Sequence, residues 1–404
     1  GPLTPPAARP DATCAPAPPA GVQTSEGIPT PAGHAPTTGT LRALTLMIDF
    51  PDVPGEGSAR ARFAEFFPRT ADWYAAASYG ALDYRAETPV GGWLRMPRTF
   101  ASYGIARGAG YEPGYRRLVQ DIAATADDKV DFSAYDLINV LVTPNAGPSA
   151  VDTVLSVTFA GVPGVPRADG VPLGNMSFVY SRQNDGSPGA AANAYRVLPH
   201  ENAHSLGLPD LYTSEGGGAA GHWDIMSEDW GANNDFLGWH KRKLGWLDGD
   251  RQIDCATGSG SSHHTIRPLG RAGGPSGRTD AHPGSPARTP EDTEDTRLVY
   301  IPVTNNAGYA VEVRTQEGND AAVCKPGVLV YWVDTRIGSG DGPVAIRDST
   351  PNSGGCAHRS NVNAELTDAT FGVGDTYTDE RTGITVEVSA RHADGAHHVT
   401  VTRP

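Results

Sequence analysis

Residues 200–210 read His200-Glu201-Asn202-Ala203-His204-Ser205-Leu206-Gly207-Leu208-Pro209-Asp210, and the reading of the whole chain turns on them. On a helix from about Ala191 to Leu206, His200 and His204 lie just over one turn apart and project from one face. Two imidazoles stacked in this way can share a tetrahedral Zn²⁺ at about 2.0–2.1 Å. Glu201 lies about 100° round the helix, within reach of a water on the ion but outside the coordination positions. That is where a general base belongs. Pro199 requires the helix either to bend there or to begin there with the proline in its first turn. Gly207 is expected to end the helix in the left-handed conformation, and Pro209 to prevent it from resuming. The chain then turns, so that Asp210 can return as a third ligand. Three protein ligands leave a fourth position open, as in catalytic rather than structural sites. The plainer alternative is an amphipathic helix carrying two surface histidines.

Downstream runs Gly221-His222-Trp223-Asp224-Ile225-Met226-Ser227, which brings Met226 back within a short loop of Asp210. Taken alone, Met226 reads as a core methionine. Taken together, H-E-x-x-H-x-x-G-x-x-H/D followed by a methionine-containing turn resembles the metzincin clan. More narrowly, four segments are similar to the immune-inhibitor-A-type secreted metallopeptidases: His200–Tyr212 (HENAHSLGLPDLY), Trp223–Ser227 (WDIMS), Lys243–Leu247 (KLGWL) and Ser78–Asp83 (SYGALD). The resemblance covers residues 40–250 well and the remainder loosely. It implies a metzincin-like α/β catalytic domain, built as a twisted sheet with an active-site helix. It also implies one catalytic zinc on His200, His204 and Asp210, Glu201 as acid/base, and Met226 as an apolar floor. Asp210 departs from the histidine commonest in the clan. Glu228, two residues after Met226, stands where some members have tyrosine. An oxyanion-stabilising hydroxyl must then come from elsewhere, and Tyr212 is the candidate. Glu228 is the rival third ligand, and His222 and His240 are candidate substrate contacts. Calcium is a further ion the resemblance suggests, although the chain has no D-x-D-x-D-G loop.

The chain has 404 residues, 38% hydrophobic and 19% charged, with 49 Gly and 34 Pro, which favours two or three loop-rich or β-rich domains. A net charge of −14 argues against nucleic acid or anionic membranes as partners. Protein or peptide substrates and a monomeric chain are expected instead. No stretch approaches the roughly 18 apolar residues of a membrane span. Gly1-Pro2-Leu3 reads as the scar of a cleaved tag, so a secretion leader is expected upstream. Cys14, Cys255, Cys324 and Cys356 form no C-x-x-C pair, and their even number suits two disulfides in an oxidising compartment. Three pairings are possible, with Cys324–Cys356 and Cys14–Cys255 favoured. The rival role for Cys14 is a thiolate on the N-terminal arm that caps the zinc.

Residues 1–40 read as an extended arm, 41–250 as the α/β domain and 251–404 as an all-β sandwich with a flexible loop over 257–296. Within the α/β domain, Leu41–Phe50 and Leu137–Val142 read as buried strands, and Val151–Ala160 and Leu173–Tyr180 as further strand candidates. Helices are expected over Ala59–Ser78, split by Pro68, and over Pro113–Ala124. Besides a general endopeptidase, two narrower readings stay open. One is a peptidase dedicated to a glycoprotein or to a single precursor peptide. The other is an inactive catalytic domain whose sandwich binds carbohydrate or protein.

Overall fold

The computed structural model describes residues 14–21, 24–147, 156–183, 189–213, 219–271, 295–356 and 362–404. β1 (Gly39–Asp49) is apolar along most of its length because both faces of its sheet are covered. Leu41, Ala43 and Met47 pack with the aromatic residues of α1 (Ala59–Ala64) and α2 (Arg69–Ala77), which part at Pro68. Leu44, Leu46 and Ile48 point the other way, and this second core also holds Leu94 and the apolar face of α3 (Arg116–Ala126).

β2 (Leu82–Glu87) and the short β3 (Leu94–Arg95) both run parallel to β1. β4 (Leu137–Val142) lies on the other flank of β1, and β5 (Ser156–Ala160) follows. After the small hairpin of β6 (Arg167–Ala168) and β7 (Val171–Pro172), β8 (Asn175–Val179) inserts between β4 and β5. The sheet order is β2-β1-β4-β8-β5, parallel except for the outer strand β5. Helix α4 (Val197–Ser205) carries the two histidines and packs across β5 and β8. It begins at Val197, so Pro199 falls in the first turn, where its missing N–H does no harm. α5 (Gly238–Lys243) follows.

The C-terminal part is β-rich. It comprises β9 (Ile253–Cys255), β10 (Gly260–Ile266), β11 (Leu298–Pro302), β12 (Ala307–Arg314), β13 (Gly327–Asp334), β14 (Val344–Arg347), β15 (Thr376–Thr378), β16 (Thr385–Arg391) and β17 (His397–Arg403). One sheet has the order β14-β13-β12-β11-β9 and the other β10-β17-β16-β15, and they share a core that includes Val299, Val311, Val330, Val386 and Val399. The opposite face of the first sheet, with Leu298, Tyr300, Leu329 and Tyr331, joins Trp239 and Trp246 in the core beneath α4. A single apolar cluster therefore runs from β1 to β13.

The expected loop over 257–296 is partly regular. Gly260–Ile266 pairs with β17 because Ser262, His264 and Ile266 turn inward on alternate positions while the polar residues between them face solvent. Residues 272–294 of that expected loop lie outside the described residues, as do residues 1–13 of the arm and 151–155 of the expected strand.

Two disulfides are present, Cys14–Cys255 and Cys324–Cys356. Cys14 therefore has no thiolate with which to cap a metal. From Cys14 the arm crosses the back of the α/β part. Trp239 Nε1 donates to Glu26 O at 3.1 Å, and Ala35 N to Ser205 O at 2.8 Å. Trp246 Nε1 donates to Thr37 O at 2.7 Å. Among the described residues no helix is long and apolar enough to cross a membrane.

Candidate metal centre

The end of α4 is built to aim His204. Leu208 N donates to Ala203 O and Gly207 N to His204 O, both at 3.0 Å, the paired bonds of a glycine-terminated helix. Gly207 has φ +102°, and a Cβ there would meet Thr30 of the arm at 2.3 Å, so both conformation and space require glycine. The turn delivers Leu208 O to His204 Nδ1 at 2.8 Å. Ile225 O accepts from His200 Nδ1 at the same distance. Each imidazole thus carries its proton on Nδ1 when neutral and turns a bare Nε2 lone pair inward.

Both Nε2 atoms converge on one carboxylate oxygen. Asp210 Oδ1 lies 3.0 Å from His200 Nε2 and 3.1 Å from His204 Nε2. That oxygen is buried and has no hydrogen-bond partner. Three acceptors crowding one point, one of them an orphaned buried oxygen, fit a cation at their centre. The two imidazoles and the carboxylate form a group that could hold a metal ion. Without a cation, protons must do the same work. Burial opposes charge on His200, but Asp210 and Asp229 outweigh it and raise the imidazole to about 10. His204 is raised in the same way, against burial, chiefly by Asp210. Burial would lift the Asp210 carboxyl, yet the two imidazoles hold it far below the usual carboxylate range.

Glu201, one residue on, is buried. Its Oε1 accepts from Ser156 Oγ at 2.9 Å and its Oε2 from Thr158 Oγ1 at 2.7 Å, both on β5. Met226 is fully buried, and its carbonyl accepts from Leu211 N at 3.0 Å, next to Asp210. The methionine turn therefore ties to the site through its backbone, Ile225 to His200 and Met226 to the segment bearing Asp210. Asp229 Oδ2 lies 3.9 Å from His200 Nδ1 and is itself held by Gln183.

Glu228, the rival ligand, lies outside this group. Its carboxylate accepts from Asn363 N at 2.9 Å and stands 3.4 Å from His222 Nδ1. His222 donates through Nε2 to Ala232 O at 2.7 Å. Tyr212 is 39% exposed and its ring lies parallel to His200, centroids 6.3 Å apart, so its hydroxyl is at the rim of the site. Burial first and the Asp210 carboxylate second push that phenol above its usual range. Among the described residues no second group of three carboxylate, imidazole or thiol ligands has metal-binding spacing.

Two features were absent from the sequence reading. The first is a grip from the β-rich part: Ser339 Oγ accepts from Asp210 N at 2.9 Å, Gly340 N donates to Asp210 O at 3.2 Å, and Thr213 bridges to Asp341. The β13–β14 loop thus holds the backbone of the third candidate ligand. Ser339→Ala is expected to weaken metal affinity roughly tenfold, the lower end for loss of a group that orients a ligand. Titration against a competing chelator measures this, and an unchanged affinity would remove Ser339 from the site.

The second is a buried charge cluster behind the methionine turn. His240 is fully buried, so it cannot touch substrate. Its Nε2 meets Glu26 Oε1 at 2.6 Å and its Nδ1 meets Asp224 Oδ2 at 2.7 Å. Burial lowers this imidazole, but Asp224 and Glu26 more than reverse the effect, to about 10. A folded value above the free value of 6.5 means that its stabilisation is complete below about pH 6.5 and is lost as pH climbs toward 10. Lys243, pulled down by burial to about 8, acts with the opposite sign over the upper part of that range. Glu26→Gln removes one of the two carboxylates, so the alkaline decline of its thermal midpoint should be shallower than that of the parent. Equal slopes would exclude His240 as the titrating group.

No family model matches the chain, and no curated protein sequence matches it at a significant level.

Proposed function

We propose that the protein is an exported zinc endopeptidase of metzincin type, similar to the immune-inhibitor-A-type enzymes. The observation that carries this reading is the convergence of His200 Nε2, His204 Nε2 and Asp210 Oδ1, with a buried glutamate one residue away on the same helix. The donor set, two imidazoles and one carboxylate, is that of a catalytic rather than a structural zinc. When bound, zinc supplies Lewis acidity, lowering the pKa of a water toward about 7 and polarising a carbonyl. Glu201 takes the proton of the attacking water and returns it to the leaving amine. Tyr212, at the rim, offers a hydroxyl to the developing oxyanion. The outer strand β5 has no strand on its far side among the described residues. An extended peptide lying there would pass beside Glu201. Two disulfides and the lack of a membrane-crossing helix among the described residues agree with an extracellular location.

Elemental analysis of the purified protein, combined with cleavage of an unstructured protein substrate with and without chelator, tests the proposal. About one zinc per chain is expected, with hydrolysis lost on chelation and restored by zinc. Stoichiometric zinc with no hydrolysis of any substrate would favour a binding role, and absence of zinc would remove the metal reading altogether.

A further inference from the structure

Four side chains lie in register across the face of the sheet that α4 covers. Thr45 on β1 pairs with Asn139 on β4, Asn139 with Ser177 on β8, and Ser177 with Thr158 on β5. Thr45, Asn139 and Ser177 are almost wholly buried, in a layer otherwise filled by Leu41, Ala43, Leu137, Leu141 and Val179. Such polar groups must satisfy one another.

Their hydrogen bonds have one consistent direction. Asn139 Nδ2 donates to Tyr84 Oη at 2.9 Å, Tyr84 Oη donates to Asn202 Oδ1 at 2.6 Å, and Asn202 Nδ2 donates to Asn139 Oδ1 at 2.7 Å, closing a ring. The remaining Asn202 N–H points to Ser177 Oγ at 3.3 Å. Ser177 then has its own hydrogen for Thr158 Oγ1, 2.9 Å away. That leaves the single hydrogen of Thr158 for Glu201, whose Oε2 accepts at 2.7 Å and whose backbone O lies 2.9 Å away. Ser156, two residues along the same face of β5, holds the other carboxylate oxygen at 2.9 Å.

We infer that Ser156 and Thr158 are positioning residues for Glu201, and that the buried Tyr84–Asn139–Asn202–Ser177 network fixes the direction of the Thr158 hydrogen bond. The inference rests on the peptidase reading of Glu201. It adds that the aim of the carboxylate is set by the sheet rather than by the helix that carries it.

The test compares Thr158→Val, Thr158→Ser and the double variant Ser156→Ala/Thr158→Val with the parent. Valine has the shape of threonine and suits a strand, so β5 should persist. A general base shifted by about 1 Å loses on the order of a hundredfold in rate. The double variant is therefore expected to lose about a hundredfold in kcat with KM and zinc content unchanged, Thr158→Val about tenfold, and Thr158→Ser to restore the parent rate. Crystal structures give a readout independent of turnover. Glu201 should remain within hydrogen-bond reach of residue 158 in the parent and in Thr158→Ser, and should swing away in the double variant. Full kcat and an unmoved Glu201 in the double variant would overturn the inference. An inactive parent would instead defeat the peptidase reading, leaving the crystallographic comparison to decide the positioning role.

Discussion

Glu201→Gln is expected to abolish peptide hydrolysis while leaving the fold and the metal site intact. The reason is local. Gln keeps the size of Glu, and of the two hydroxyls that now donate to the carboxylate oxygens, that of Ser156 can rotate while the buried network holds that of Thr158. One continues to donate to the amide oxygen, and the other turns to accept from the amide nitrogen. His200, His204 and Asp210 keep their geometry, because none of them bonds to the Glu201 side chain and their orientation comes from Ile225 O, Leu208 O and Ser339. What disappears is the carboxylate proposed to take a proton from water. General-base catalysis contributes on the order of 10²–10⁴ in rate, so kcat should fall by about a hundredfold to ten-thousandfold. Parallel measurement of kcat, bound zinc and thermal midpoint checks all three claims. Substantial turnover in this variant would move the base elsewhere, and loss of zinc would mean that Glu201 helps to hold the ion.

Asp224→Ala should produce the largest loss of stability. Asp224 is fully buried and serves three donors at 2.7 Å: Met226 N through Oδ1, and Leu237 N and His240 Nδ1 through Oδ2. Removing it strands two backbone N–H groups and takes one of two counter-charges from a buried imidazolium. Breaking a buried pair of this kind costs about 3–5 kcal/mol, visible as a lower denaturant midpoint. The loss should also reach the metal. Ile225 and Met226, the residues after Asp224, present the carbonyls that orient His200 and anchor Leu211 beside Asp210. A tenfold or greater weakening of metal affinity is therefore expected alongside the destabilisation. Asp224→Asn, which keeps one acceptor oxygen, should fall between the two. If Asp224→Ala unfolded at the parental midpoint, the charge cluster would be no more than an incidental feature of the core.

Helix α4 shows what can be read directly from the chain. The four-residue spacing of its histidines, the break at Gly207 and the return of Asp210 are consequences of local geometry, so a linear pattern contains them. β4 was equally plain, being buried at every position and apolar at all but Asn139 because its sheet is covered on both faces. The groups that orient the site were not legible. Ser156 and Thr158 lie 45 and 43 residues from Glu201. Alternating hydroxyls in a strand are common, and only the register of β5 on β8 turns these two toward the helix. Ser339, 129 residues from Asp210, sits in a loop with no local mark of function. His240 had the composition of a surface position, in a run of basic residues, and its burial depends on Glu26, 214 residues away. β10 was read as loop because its inward positions are mostly polar. In each case the deciding partner was distant in sequence, and no period or spacing could announce it.

The Cys14–Cys255 bridge joins residues 241 apart in sequence, and between Cys14 and β1 the chain threads past Trp239, His240 and Trp246. A single backbone cut between Glu26 and Gly39 would therefore release nothing. The piece carrying Glu26 would remain linked to Cys255, held at an effective concentration on the order of millimolar next to the place it had just left. Its rebinding would be unimolecular and indifferent to dilution, so the nicked protein should behave as a two-chain molecule with its arm still seated. Freeing the arm takes two chemical events of different kinds, a hydrolysis and a reduction, and neither alone is enough.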